Sequence, residues 1–362
     1  MRRALELAER GWGRTSPNPM VGAVVVDPDG RPLGEGWHDG PGSEHAEAMA
    51  LRLAGARAPG TTVFTTLEPC NHVGRTPPCT RALIRAGVSR VVVGSIDPNL
   101  GAGAPGLTEL RASGVEVVAG VCAADEERLN KAFRCQVTTG RPWVILKMAG
   151  TLDGKSAARD GSSRWITGEP ARSDVQRLRA WADAIGVGAG TVMADDPLLT
   201  VRDPAFDRAT SPARVVIDAA GRVPPDRAVF GPPFPTLVAT TELAPRERRE
   251  AWAARGAEVL LVDRGSDGLV ALPALVDELG KRGIQGLLIE GGPTLAWSAI
   301  RDDVVNEVVF YLAPRLVGGA TAPTLLDGVG IAPLADAVAL RDLEFARIGD
   351  DLKVVARVHR HR

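Results

Sequence analysis

Apolar residues recur along the chain with two alternating periods, and their order predicts the elements. Residues 2–11 place apolar side chains on one helical face and stop at Gly11, which predicts a short amphipathic helix. The β-branched and apolar runs 21–26, 33–37, 62–66, 90–95 and 115–119 read as strands. Between and after them, 44–54, 79–86, 106–113 and 123–138 carry helical spacing. Residues 16–19, 27–30 and 97–99 are rich in Pro, Asn, Asp and Gly and read as turns. This alternation predicts an α/β layer fold with a mixed sheet. Gly140 followed by Pro142 is a helix stop, so a domain boundary is placed there, dividing 1–142 from 143–362.

The second half repeats the alternation. Strands are predicted over 143–148, 184–187, 214–218, 236–240, 259–262, 287–290, 306–312 and 351–359. Helices are predicted over 169–182, 245–255 and 272–282, with another opening at Pro293. Residues 151–155 and 162–168 read as polar loops, and 186–191 as a glycine-rich turn after a strand.

Composition narrows the class. The 362 residues are 44% hydrophobic and 24% charged, ordinary for globular domains, and the length predicts about two of them. A net charge of −1 gives no general attraction for polyanions, so nucleic acid is not an expected partner. No apolar run approaches ~20 residues, which predicts no membrane span. The N-terminus lacks the apolar core of a signal peptide, and the four cysteines (Cys70, Cys79, Cys122, Cys135) show no disulfide framework. A cytoplasmic location is expected. Cys122 and Cys135 are expected to be buried free thiols.

The chemistry concentrates between His45 and Cys79. His45–Ala46–Glu47 opens a helix, and Pro69–Cys70 and Cys79 follow. Three soft ligands suit a catalytic zinc that keeps one position for water, whereas structural zinc takes four protein ligands. The order H-x-E … P-C … C is that of zinc-dependent base deaminases, in which the Glu moves protons and does not bind metal. The usual second half is P-C-x-x-C; here Asn71–Pro78 separates the cysteines. That insertion reads as a rigid loop offering His72 and Arg75 to a substrate. Two blander readings are a structural zinc with His72 as fourth ligand, and two thiols beside a helix-capping His.

In the second half, Glu290–Gly291–Gly292–Pro293–Thr294 joins a strand to a helix start. Such a turn suits phosphate, since glycine admits close backbone approach and the first helical N–H groups lack partners. A plain tight turn explains it too. No G-x-G-x-x-G fingerprint is present, so any dinucleotide binds in a fold other than Rossmann.

Taken together, the motifs resemble those of the bifunctional deaminase–reductases of riboflavin biosynthesis. The resemblance is carried by N-P-M-V-G-A-V-V at 18–25, H-A-E at 45–47, T-L-E-P-C-N-H-V-G-R-T-P-P-C at 66–79 and D-P-N at 97–99. It continues through L-K-M-A-G-T-L-D-G-K at 146–155, W-I-T-G at 165–168, G-T-V-M-A-D-D-P-L-L-T at 190–200 and E-G-G-P-T-L at 290–295. It implies a cytidine-deaminase-like three-layer domain followed by a dihydrofolate-reductase-like domain. The first would deaminate 2,5-diamino-6-(5-phosphoribosylamino)pyrimidin-4(3H)-one. The second would reduce the ribosyl group with NADPH, giving 5-amino-6-(5-phosphoribitylamino)uracil.

By the same resemblance, His45, Cys70 and Cys79 would hold Zn²⁺ and Glu47 would shuttle protons. Asn18, His38, His72 and Arg75 would contact the first substrate. Ser163, Arg179, Leu199, Arg202 and Glu290 would contact the second, with Lys147 near the reacting sugar. Ala149, Trp165, Thr191, Asp195, Ala219, Gly292, Pro293, Thr294, Leu295, Ala296, Trp297 and Ser298 would lie near NADPH. A homo-oligomer assembled through the reductase half is expected. Val73, where a His or aromatic is usual, and Thr151, where Ser is usual, depart from the pattern. Two other readings stay open: a zinc deaminase of a nucleoside or tRNA base, and a deaminase whose second half is a non-catalytic dimerisation module.

Overall fold

A computed structural model describes residues 1–71, 77–99, 106–204, 211–232 and 234–359. The chain divides into two compact units, Met1–Gly140 and Arg141–Arg362. Among the described residues no helix is long and apolar enough to cross a membrane.

The first unit runs α1 (Arg2–Ala8), β1 (Gly22–Val26), β2 (Pro32–Trp37), α2 (Ala46–Ala54), β3 (Thr62–Leu67), α3 (Cys79–Arg85), β4 (Arg90–Ser95), α4 (Gly106–Ala112), β5 (Glu116–Ala119), α5 (Ala123–Leu129) and α6 (Lys131–Thr139). Its sheet has the order β2-β1-β3-β4-β5. β1 is antiparallel to β2 and β3, and β3, β4 and β5 are parallel. Strand β1 is apolar throughout because both its faces are covered. Ala23 and Val25 point into a core with Ala46, Ala50, Leu83 and Leu110, whereas Val24 points the other way against Ala4 and Leu7. The result is three layers, helix on sheet on helix.

Glycine sets how closely the layers meet. A Cβ on Gly36 would lie 2.2 Å from the Ala46 carbonyl oxygen, and one on Gly34 2.1 Å from that of Ala50. Helix α2 therefore rests with its backbone directly on β2. The Gly36 contact falls in the first turn of α2, beside His45 and Glu47.

The second unit runs β6 (Trp143–Thr151), α7 (Glu169–Trp181), β7 (Ala184–Gly188), α8 (Ala189–Asp195), β8 (Ala213–Ile217), β9 (Thr236–Thr240), α9 (Arg246–Ala254), β10 (Glu258–Leu261), α10 (Leu272–Lys281), β11 (Gly286–Glu290), α11 (Pro293–Arg301), β12 (Glu307–Ala313), β13 (Leu340–Ile348) and β14 (Asp351–Val358). Nine strands form one sheet in the order β10-β9-β8-β7-β11-β6-β12-β14-β13. It is parallel from β10 to β12 and antiparallel beyond. Strands β9 and β11 are buried along their whole length, as expected for parallel strands covered on both faces. Their core includes Leu146, Val215, Leu275, Ile289 and Ala299.

Four details depart from the periodicity. The helix expected over 123–138 is two helices meeting at Asn130, whose side chain is drawn away to other backbone groups. The glycine-rich turn expected over 186–191 is absent as such: 186–188 complete β7 and 189–191 already belong to α8. Strand β13 was not anticipated; its residues are exposed, so no buried face imprinted a period. Cys122 and Cys135, expected to be buried, are only partly so.

Candidate active sites

Three elements bring the soft donors of the first unit together. His45 caps α2, Cys70 follows β3, and Cys79 opens α3. The His45, Cys70 and Cys79 donor atoms lie within 4.8 Å of one another. His45 Nδ1 is 3.3 Å from Cys79 Sγ and 3.5 Å from Cys70 Sγ. Tetrahedral zinc, with Zn–S near 2.3 Å and Zn–N near 2.0 Å, sets N and S donors about 3.5 Å apart, so this set fits zinc. The Cys79 backbone N–H donates to Cys70 Sγ at 3.3 Å. Hydrogen bonds from Cys79 first, then from His45, hold the Cys70 thiol down to about 4. The hydrogen bond with Cys70, then burial, push Cys79 up.

Glu47 sits in the first turn of α2, 3% exposed, with its carboxylate 3.5 Å from Cys79 Sγ. Burial, then the Cys70 thiolate, push its carboxyl above the usual range. Beside it opens a pocket of about 490 Å³, lined by Asn18, His38, His45, Glu47, Cys70 and Phe133 among others. Burial keeps His38 neutral, pushing its pKa down. Its Nδ1 faces the Glu44 carbonyl at 3.4 Å and its Nε2 faces Asn18 Nδ2 at 3.0 Å. The two contacts are satisfied together if Nδ1 carries the proton and Nε2 accepts from the Asn18 amide.

The Asn18 loop is anchored from far along the chain. Asn130 Oδ1 accepts the Met20 N–H at 2.8 Å, and its Nδ2 donates to the Met20 carbonyl at 2.9 Å. Buried Asn130 thus imitates a strand partner. His72, Val73 and Arg75 lie outside the described residues. Glu68, Asp97 and Phe133 line the pocket as well. The sequence reading gave Glu68 and Phe133 no role, because a pocket wall leaves no mark in periodicity.

A second cleft, about 740 Å³, opens over the C-terminal ends of the parallel strands. Lys147, Ala149, Ser163, Thr191, Asp195, Ala219, Gly292, Pro293, Thr294, Leu295 and Ser298 line it. Gly291 and Gly292 adopt φ of +69° and +80°, and a Cβ on Gly292 would stand 3.1 Å from Thr191 Oγ1. The turn before α11 is therefore narrow, and its Pro293 opens the helix. This cradle suits the phosphates of a dinucleotide.

Lys147 on β6 pairs in register with Glu290 on β11. Arg179 grips Glu290 through two hydrogen bonds, of 2.7 and 2.8 Å, and also donates to the Thr200 carbonyl. Burial alone would raise the Glu290 carboxyl, but Arg179, then Lys147, hold it down to about 2. Burial pushes the Lys147 ammonium below its ordinary range, against the pull of Glu290.

Several expected neighbours of this cleft stand elsewhere. Ala296 is fully buried in the sheet core, and Trp297 lines a separate hollow with Arg301. A helix cannot turn four consecutive side chains to one side, and within 292–298 the side chains of Ala296 and Trp297 do not line the cleft. Trp165 is 61% exposed beneath the Arg172 guanidinium. Leu199 is buried with φ of +53°, and Arg202 is exposed. Thr151 Oγ1 donates to Asp153 at 2.5 Å, a bond that a Ser would make equally well. Arg222 lines the cleft and was not anticipated.

Comparison with known proteins follows this division. Residues 1–95 match the model of the cytidine and deoxycytidylate deaminase zinc-binding region, and 142–354 match that of the RibD C-terminal domain. The riboflavin biosynthesis protein RibD of Escherichia coli (strain K12) is 42% identical, over 97% of this chain and 96% of that protein. A structure of Acinetobacter baumannii RibD superposes with a TM-score of 0.87 at 36% identity, covering 99% of this chain and 98% of that one. A diaminohydroxyphosphoribosylaminopyrimidine deaminase/5-amino-6-(5-phosphoribosylamino)uracil reductase from Thermotoga maritima gives 0.83 at 34% identity, covering 99% and 97%.

The Glu290–Arg179 pair makes the stability of the second unit depend on pH. A carboxyl at about 2 when folded, against 4.5 otherwise, stabilises fully above 4.5 and loses that contribution as pH falls toward 2. The loss is on the order of 3 kcal/mol. Urea unfolding at stepped pH should show this acid limb in the wild type. Glu290→Gln should start lower, with Arg179 unpaired, and fall less steeply. Parallel limbs for the two proteins would contradict the assignment.

Proposed function

The chain belongs to the RibD family of riboflavin-biosynthesis enzymes, which join a zinc deaminase to an NADPH-dependent reductase, and on that premise we propose how its residues divide the work. The first unit takes 2,5-diamino-6-(5-phosphoribosylamino)pyrimidin-4(3H)-one and replaces a ring amino group by a carbonyl. One water is consumed and one ammonia leaves. His45, Cys70 and Cys79 hold zinc, which supplies the Lewis acidity that makes water a nucleophile at neutral pH. Glu47 accepts a proton from the attacking water and returns protons to the ring nitrogen and to the departing amine. The His38–Asn18 pair fixes the Asn18 amide, so its carbonyl and second N–H can read the pyrimidine edge.

The second unit converts the ribosyl group to a ribityl chain. NADPH supplies the hydride. The Gly291–Thr294 turn holds its phosphates, and Lys147 protonates the sugar oxygen. A buried ammonium pushed below its ordinary pKa gives up a proton more readily than an exposed one. Arg179 keeps Glu290 ionised, and Glu290 in turn keeps Lys147 charged until that proton is needed. A built cleft over the strand ends supports a catalytic second unit over a bare dimerisation module.

The second unit also carries the assembly surface in this reading. Strand β13 ends the nine-stranded sheet, and Leu343 and Phe345 on it are 50% and 65% exposed. Leu316, Val329 and Leu334 in the segment before it are more exposed still. An apolar edge of this kind invites a further strand or face, and a second copy of the chain is the occupant we assign to it. Phe345→Glu should convert a dimer to a monomer in sedimentation equilibrium. A wild-type monomer at micromolar concentration, or an unaltered mass in the variant, would remove the assignment.

The observation that carries the deaminase half is the convergence of His45, Cys70 and Cys79 beside buried Glu47. Glu47→Gln should retain one zinc per chain by metal analysis and lose ammonia release by ~10²- to 10⁴-fold. Ammonia release near the wild-type rate from the zinc-loaded variant would show that the proton passes elsewhere.

A further inference from the structure

NADPH and NADH differ only in a phosphate on the 2′-oxygen of the adenosine ribose. Discrimination between them therefore rests on whatever faces that ribose. The cleft of the second unit offers two cations among its described lining residues, Lys147 and Arg222. They stand far apart. Lys147 is on β6, and Arg222 lies in the turn after β8. Strands β11 and β7 intervene in the sheet order. Strand spacing of about 4.8 Å puts the two ends about 14 Å apart. The phosphate cradle at Gly291–Gly292 follows β11, between them.

This order leaves the β8 end for the adenosine. Ile217 at the end of β8, Ala219 in the turn after it, Leu269 ahead of α10 and Leu272 at its start line that end with apolar surface. Arg222 stands at its rim, with its side chain 58% exposed. The turn is fixed by Asp218, which is 1% exposed and accepts the Val223 N–H at 2.7 Å. Its other oxygen has no hydrogen-bond partner among the described residues and faces the Arg222 Nε at 4.0 Å. Asp195 is the carboxylate among the described lining residues, whereas Asp218 does not line the cleft. Asp218 steers the guanidinium beside it instead.

We propose that Arg222 reads the 2′-phosphate of NADPH and sets the preference of the reductase for NADPH over NADH. A guanidinium can meet a phosphate through paired N–H groups, and an arginine near the end of a strand suits a 2′-phosphate as an acidic residue suits a 2′-hydroxyl. The inference rests on the reading of this cleft as the nucleotide site, and the test separates the two.

Dissociation constants would be measured by fluorescence titration on the full chain for NADPH, NADH, 2′,5′-ADP and 5′-ADP. The wild type comes first; failure to bind NADPH would overturn the cleft reading and this inference with it. Arg222→Gln should weaken NADPH and 2′,5′-ADP by ~10- to 100-fold, the worth of one charge-assisted contact. NADH and 5′-ADP, lacking the phosphate, should keep their affinities, and Arg222→Lys should fall between. Equal weakening of both dinucleotides would show a structural role for Arg222. Unchanged affinity for NADPH would show that the phosphate is read elsewhere, with the cleft reading intact.

Discussion

Helix α2 reaches its sheet only because no side chain intervenes. At Gly34 and Gly36 the helix backbone occupies the space a Cβ would need. The depth of that seat decides where the first turn of α2 lies, and that turn carries His45 and Glu47. Cys70 and Cys79 come from other elements, the end of β3 and the start of α3. Three donors from three elements meet within 4.8 Å only if each element is held at its proper depth. A metal site of this kind is as much a product of layer packing as of ligand identity. The adjoining pocket depends on the same packing, since Asn130, far along the chain, ties down the Met20 backbone two residues beyond Asn18.

The second unit solves a different problem, which is to keep charge inside a sheet. Lys147 and Glu290 face one another across β6 and β11 near the strand ends, where burial opposes both charges. Arg179 resolves this from α7 by binding both oxygens of Glu290. Charges desolvated without such partners would shift to their neutral forms. The arrangement leaves a lysine whose pKa burial lowers, beside an ionised carboxylate, in the wall of the cleft.

Much of this was legible in the chain. Strands with both faces covered leave continuous apolar runs, as β1 and β11 show, so the α/β class and the order of elements could be read. The zinc donors were legible because metal chemistry restricts residue type and spacing so tightly. What stayed hidden has a common cause. Strand β13 lies exposed, so no buried face imprinted its period. The break at Asn130 comes from a tertiary hydrogen bond across the unit, and local propensity does not register it. Phe133 and Arg222 become pocket walls only once distant elements fold together. Within 292–298 a motif is linear and a helix face is not, so Ala296 and Trp297 do not line the cleft.

The central claim is that one chain carries two sites acting in order on one phosphoribosylated pyrimidine. The most direct test supplies the zinc-loaded protein with the diaminopyrimidine ribotide alone, follows ammonia, and then adds NADPH. The account predicts ammonia release before any cofactor is present, then NADPH oxidation matching the ammonia formed. Ammonia without later oxidation of NADPH would contradict the reductase half. Silence in both steps, with zinc confirmed in place, would contradict the substrate itself.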